Sequence, residues 1–451
     1  MSNEKMPLRV VAIGSGQVGK STVFGQMAYQ CGGIDANTMA KLAEYARVSG
    51  KTSYKYAWVL DTLKTERERG LTMETKEYRL NTPKAVLTLI DVPGWRGFTP
   101  EMGKGVLQAD AAVLVIDASP PGYRISSAEQ GAIYEHIMVA FGMGVTELIV
   151  CLNKMDGAST PYAQSSYDAA RIATKTMLGR VGFNVDRISF IPVSGWVGDN
   201  ITSTSSNLAW YKGPTLLDAL RLLVVPPSLL SRPLRVTQEA VYGRADCDVI
   251  EGRLTSGSLR VGDELTFALA GVTAQVLAIS GTQWGDSKVV PGDRVSIYVA
   301  RNTNASYMSN TADVCGSAAD DPPREVSAFT AQVAFMDRLD VLAPGYTAEL
   351  VFGDGVTHSF KLEAVLNTLG SIFGDAARQN PPFMNSGETG IVRMVPVGRA
   401  CVDTYAKFPN RGRFYAKSNQ LVVGTITGIA ERGASDLPQQ PALPIGKPVK
   451  H

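Results

Sequence analysis

Residues Gly14-Ser15-Gly16-Gln17-Val18-Gly19-Lys20-Ser21 satisfy the pattern G-x-x-x-x-G-K-[ST], which constrains this chain more than any other stretch. The pattern functions in one setting: a strand before it, a helix after it, and glycines that let backbone N–H groups converge on phosphate oxygens. Both neighbours are legible. Residues 8–13 are a short β-rich run, and a helical stretch opens at Lys20. In that geometry Lys20 reaches the β- and γ-phosphates and the Ser21 hydroxyl binds Mg²⁺, with Thr22 in the same nucleotide-binding set.

Further apolar runs at 85–90, 111–117, 147–152 and 188–193 read as buried strands. Patterns of helical length, such as 128–141 and 167–181, lie between them. Near-continuous apolar strands separated by helices imply a mostly parallel sheet covered on both faces. Residues 216–225 read as a last helix, stopped by Pro226-Pro227. After Pro233 the runs shorten and alternate (264–269, 294–299, 346–352), with turns at Gly262-Asp263, Pro291-Gly292-Asp293 and Pro344-Gly345. That spacing predicts antiparallel barrels. The expected fold class is an α/β P-loop domain (1–230) followed by two antiparallel β-barrel domains (231–322 and 323–433). Asp320-Asp321-Pro322-Pro323 would link the barrels, and 434–451 would be a Pro-rich tail without fixed structure.

Composition removes several classes. Lys plus Arg minus Asp plus Glu is 44 − 42, a net charge of +2, so no global basic field compels a nucleic-acid reading. Five scattered cysteines and three dispersed histidines offer no zinc or disulfide pattern. No apolar run of about 18 residues predicts a membrane span. Residues 1–5 are too polar for a signal peptide, so a cytoplasmic protein is expected.

Three strand-end motifs specify the ligand. Asp91-Val92-Pro93-Gly94 offers a carboxylate to support the metal and a glycine amide to sense a γ-phosphate. In Asn153-Lys154-Met155-Asp156 a carboxylate can accept both N–H groups of guanine's N1 and 2-amino edge, which adenine lacks. Ser194-Gly195, with Trp196 next to it, would set backbone N–H near guanine O6. GTP or GDP with Mg²⁺ is the expected cofactor, with Ser21 and Asp91 at the metal.

The stretch from Ser53 to Asp61 (SYKYAWVLD), then Glu66-Arg67-Glu68-Arg69-Gly70-Leu71-Thr72, resembles switch I of eukaryotic elongation factor 1-alpha. Cys31-Gly32-Gly33-Ile34-Asp35, Ser194-Gly195-Trp196 with Gly198-Asp199-Asn200, Phe329-Thr330-Ala331-Gln332-Val333 and Gly412-Arg413-Phe414 are similar to the same family. The resemblance implies a monomeric cytoplasmic GTPase that delivers aminoacyl-tRNA to the ribosome and is served by an exchange factor, with no membrane contact. It also implies Thr72 as a second magnesium-coordinating hydroxyl. Release-factor and ribosome-rescue GTPases share this architecture, but residues 55–61 favour the elongation type.

Departures accompany the resemblance. The family's water-positioning histidine is replaced by Trp95, which has one donor and no acceptor, so no catalytic residue of the family's set is intact. Ser15-Gly16-Gln17-Val18 stands for the family's His-Val-Asp-Ser. In the barrels, Ile279-Ser280-Gly281-Thr282, Ser309-Asn310-Thr311 and Phe352-Gly353-Asp354-Gly355 replace His- and Arg-containing segments, and Lys417 is the nearest cation after Phe414. Two other readings follow: a hydrolysis-poor switch paralogue with a regulatory or binding role, and a release- or rescue-type GTPase. His136 reads as a surface or packing residue, Met143 as core, and residues 66–69 as a solvated helix face unless the resemblance gives them a role.

Overall fold

The computed structural model describes residues 6–431 except 83–84, 96–98, 120–126, 146, 158–159, 224–228, 245, 281–288, 290, 292, 301–313, 337–340, 372–375 and 418–420. Pro226-Pro227, Gly292, residues 281–282 and 309–311 and the tail beyond 431 therefore lie outside the described residues.

Residues 10–13 of strand β1 (Met6–Ile13) are buried on both faces because the strand lies inside a six-stranded sheet. With β2 (Lys76–Asn81), β3 (Ala85–Asp91), β4 (Ala111–Asp117), β5 (Glu147–Asn153) and β6 (Ser189–Pro192), the order is β2-β3-β1-β4-β5-β6. Only β2 and β3 pair antiparallel. Side chains alternate along β1 as the pleat requires. Val10 and Ala12 enter a core with Phe24 of α1 (Lys20–Gln30); helices α2 (Ala36–Val48) and α3 (Lys64–Arg69) follow in the chain. Val11 and Ile13 enter the opposite core, built with Met102 of α4 (Thr99–Leu107), Met138 of α5 (Ser127–Gly142) and Met177 of α6 (Gln164–Val181). Helix α7 (Leu216–Leu222) closes the first face; it stops three residues before the predicted end, where Leu223 turns extended. Met143 is core, as expected.

The register aligns the strand ends: Ala12 pairs with Asp91, Ile13 with Leu114, and Asp117 with Asn153. The glycine-rich turn, Asp91 and Asn153 therefore emerge along one edge. It lies where the order reverses direction, the position at which open α/β sheets bind ligands.

Strands β7 (Arg235–Gly243), β8 (Cys247–Ser256), β9 (Glu264–Phe267), β10 (Val272–Ser280), β11 (Arg294–Ala300) and β12 (Val314–Ser317) form a closed antiparallel barrel. Seven more follow: β13 (Val326–Met336), β14 (Thr347–Phe352), β15 (Thr357–Ser371), β16 (Arg378–Gln379), β17 (Glu388–Pro396), β18 (Arg413–Ala416) and β19 (Leu421–Glu431). Their order is β14-β18-β19-β13-β17-β15-β16, and β14 also pairs β15, so six of them make a ring. Register shifts in the β13–β19 and β15–β17 pairs bend the long strands into it.

Buried charge joins the two β units. Arg235 and Arg411 both donate to Asp403, at 3.1 and 2.7 Å, and Arg411 also pairs with Asp354. The Arg235 guanidinium lies 4.2 Å from the Phe408 ring centroid and donates to the Asp321 carbonyl at 2.8 Å, so the expected linker is pinned. Two cations and two anions balance, the condition under which such a cluster is tolerated in an interior. Burial alone would raise the Asp403 carboxyl, but the Arg411 and Arg235 charges hold it below the usual range.

The third unit also grips the first. Arg413 donates to the Ala109 carbonyl at 2.9 Å, just past the end of α4, and the Tyr405 hydroxyl donates to the Gly144 carbonyl at 2.6 Å, just past α5. A Cβ at Gly142 would stand 2.6 Å from Val423, so α5 approaches β19 at glycine distance. No described helix is long and apolar enough to cross a membrane, and none of the five cysteines is in a disulfide.

Candidate functional site

The turn between β1 and α1 needs its glycines. Gly14 (φ 135°) and Gly19 (φ 98°) lie in the left-handed region. A Cβ on either would come within 2.3 Å, of the Val115 carbonyl oxygen and the Asn153 amide nitrogen respectively. Gln17 holds φ 62° without that freedom, a strained backbone of the kind that collects at ligand sites. Lys20 folds back along the loop and donates to the Gly14 and Ser15 carbonyls, at 3.0 and 2.9 Å. Burial lowers its pKa to about 8, against the Asp91 and Asp61 charges, which raise it. Val18, Val92 and Pro93 are buried behind the loop, while Thr22 lines the cleft in front of it.

His136 is the residue that sequence reasoning undervalued. It is buried on α5, and its Nδ1 accepts the Gly14 N–H at 3.1 Å. Burial, with the Lys20 charge as the smaller cause, pushes its pKa down to about 3, so the ring stays a neutral acceptor. An unfolded chain binds this proton below about 6.5 and the native chain does not, so His136 costs stability as pH falls from 6.5 towards 3. Removing the acceptor in His136→Phe should cost about 1–3 kcal/mol at pH 7. Between pH 7 and 5 the wild type should then lose about 2 kcal/mol more than the variant. Denaturant titrations at the two pH values check this. Asp61 and Asp91, which act with the opposite sign, are present in both proteins and cancel in the difference.

A chain of hydroxyls crosses to switch I. The Ser21 and Thr72 hydroxyl oxygens are 3.1 Å apart, and Thr72 donates to Asp61 Oδ1 at 2.9 Å. Buried Asp91 has no hydrogen bond of good geometry on either oxygen among the described residues, although the Ser21 hydroxyl and the Val92 N–H favour its ionised form. Burial pushes Asp91 up to about 6; burial and then the Asp91 charge push Asp61 up to about 7. Two crowded carboxyls and two converging hydroxyls are the donor set of a hard divalent cation that keeps waters and phosphate oxygens as its other ligands. Ser21, Thr72 and Asp91 thus fit Mg²⁺. No described cluster of three or more His, Cys, Asp and Glu side chains suggests a softer metal.

The 66–69 charge run is not simply a solvated face. Glu66 is buried and accepts the N–H groups of Leu63, Met73 and Glu74 at 3.0–3.2 Å. Arg67 donates to the Asp61 and Trp58 carbonyls at 2.7 and 3.0 Å. Together they hold the loop that carries Thr72. Their partners are backbone groups, which no side-chain pattern reveals.

Around the predicted base site, Asn153 donates to the Val18 carbonyl at 2.8 Å and accepts the Gly195 N–H at 2.9 Å. It ties the phosphate loop to the β6 loop. Lys154, at φ 63°, pairs with Asp117 at 2.6 Å. Met155 is buried core, and the buried Ser194 hydroxyl accepts the Val197 N–H at 3.0 Å. Asp156 and Trp196 line the cleft, which encloses about 480 Å³ and also takes in Gly16, Lys20, Ser21 and Thr72.

Gly94 and Trp95 lie on the phosphate loop. A Cβ at Gly94 would stand 2.8 Å from the Ser15 carbonyl oxygen and 2.9 Å from the Gly16 nitrogen, so only glycine brings this backbone so near. The indole of Trp95, 45 % exposed, lines the cleft against Gly16, where a Cβ would meet the ring at 2.5 Å. The two departures are one arrangement: Gly16 leaves the space that the indole takes.

Residues 6–226 match the model described as elongation factor Tu GTP binding domain. This is a translational GTPase domain. Residues 328–427 match the GTP-eEF1A C-terminal domain-like model, so the chain carries the matching C-terminal domain as well. Among solved structures, the S. cerevisiae Ski7 GTPase-like domain bound to GTP is similar at 19% identity, over 94% of this chain and 98% of that one, with TM-score 0.66. The same domain with GDP and inorganic phosphate gives 0.65. A sup35 structure with GDP aligns over 95% of both chains at 22% identity, with TM-score 0.40.

Proposed function

We propose that the protein is a GTP-dependent translational switch that binds guanine nucleotide with Mg²⁺ and hydrolyses GTP slowly. The observation that carries this is the meeting of Thr72 and Gly94 with the phosphate loop, and the Trp95 indole lines the same cleft, where the resemblance implies a water-positioning histidine. Lys20, the loop amides and the Gly94 N–H would hold the β- and γ-phosphates, and Asp156 the guanine edge. Ser21 and Thr72, backed by Asp91, would hold Mg²⁺, which supplies charge neutralisation on the phosphates. Ordering of Thr72 and Gly94 by the γ-phosphate would pass to α4 and, through the Ala109 carbonyl, to Arg413.

Residues 55–61 support aminoacyl-tRNA as the cargo, delivered at the ribosome. A release- or rescue-type role is the second reading, favoured by the barrels. Asp354 in the altered 352–355 loop is committed to Arg411 and Thr237, and Lys417 lies 3.6 Å from Glu349. The cations there, Arg411 taken up by Asp354 and Asp403 and Lys417 facing Glu349, therefore offer little free positive charge to a phosphate backbone.

Titrations with GTP, GDP and ATP, followed by single-turnover hydrolysis on ribosomes, test the proposal. GTP should bind at least about 10³-fold more tightly than ATP, and ribosomes should leave hydrolysis slow. Equal affinity for ATP, or fast ribosome-stimulated turnover, would overturn it. Tight binding of aminoacyl-tRNA that requires GTP, at stated salt, would select the delivery reading over the other.

A further inference from the structure

One wall of the cleft has no role in the contacts above. Ser53, Tyr54 and Ala57, from the two short 3₁₀ turns Thr52–Tyr54 and Ala57–Val59, line the cavity together with Trp196 of the β6 loop. Both segments rest on α1. Gly25 lies under Tyr56 so closely that a Cβ would meet its carbonyl oxygen at 2.0 Å. Gln30 donates to the Gly198 carbonyl at 3.2 Å. The Lys55 side chain reaches from the first segment to the second. The Lys55 ammonium is 4.7 Å from the Tyr56 ring centroid and 4.7 Å from that of Trp196. The two rings meet edge to face, with centroids 6.1 Å apart.

A cation between two aromatic faces is attracted by both ring quadrupoles, most strongly by indole. Trp196 is 37 % exposed, so this attraction and the edge contact with Tyr56 govern where the indole lies. We propose that Lys55 and Trp196 form a latch that fastens the switch I wall to the base-recognition loop and retards nucleotide release. The latch rests on the guanine-nucleotide reading above and adds a positioning pair to it. Lys55 touches no phosphate or base in this scheme. It acts by keeping the two walls together, so it sets the dissociation rate and leaves base selectivity to Asp156.

The test is the release of tritiated GDP from the full chain into excess unlabelled GDP, measured for the wild type and four variants. Lys55→Met keeps the stem and removes the charge, and should release GDP about threefold to tenfold faster than wild type. Lys55→Arg keeps a cation that stacks on indole and should return the rate to within about twofold. Trp196→Leu should release faster as well, and Lys55→Met should add nothing in that background, because the two substitutions break one contact. Release from Lys55→Met within twofold of wild type, or additive effects of Lys55→Met and Trp196→Leu, would overturn the latch alone. Wild-type protein that retains no labelled GDP would instead overturn the nucleotide reading, and the latch with it.

Discussion

Replacing Asp156 with Asn should lower affinity for GTP by about 10²–10⁴-fold and transfer preference to xanthosine triphosphate. The carboxylate would accept two N–H groups of guanine, each a charge-assisted bond of about 1.5–3 kcal/mol, and 1.4 kcal/mol is a factor of ten. Asn retains one acceptor and turns an N–H₂ toward guanine's own 2-amino group, leaving donors face to face. Xanthine carries a carbonyl there and accepts that N–H. The scaffold should not change, because the bonds joining the loops belong to Asn153, Lys154 and Gly195, while Asp156 lines the cleft. Competition titrations with GTP, ATP and xanthosine triphosphate decide it. A variant with unaltered GTP affinity would remove Asp156 from the base site.

The parts of this site that could be read from the sequence are those in which local spacing and chemistry coincide. A phosphate loop must follow a strand and open a helix, so its eight residues carry their own context. The other motifs end parallel strands, and a parallel sheet brings those ends to one edge. What was not legible depends on contacts between distant segments. His136 reads from the sequence as a surface or packing residue, because the Gly14 N–H that it accepts lies 122 residues away. Glu66 sits in a charged hexapeptide, yet its acceptor atoms serve backbone donors. The α7 end was misplaced because an apolar run continues past the last helical residue. Trp95 was identified as a departure, but its direction came only with the neighbour that makes room for it, Gly16.

That same contact gives the chemistry its clearest test. Trp95→His should raise single-turnover GTP hydrolysis on ribosomes by about 10²-fold or more, within the usual range for a general acid–base group. Indole has a single N–H donor and no acceptor, whereas neutral imidazole both accepts from and donates to water. The exchange should cost little stability, since Trp95 is 45 % exposed and packs on a glycine. Nucleotide affinity should hold, because Gly94, Lys20 and the loop backbone are unchanged. Trp95→Phe is the control: it keeps an aromatic face over Gly16 and supplies no proton acceptor, so its rate should match wild type. In the histidine variant the rate should climb with pH through about 6.5 and then level, as the ring loses its proton. A histidine variant no faster than the phenylalanine one would show that Trp95 is not what makes hydrolysis slow, and that another group positions the attacking water.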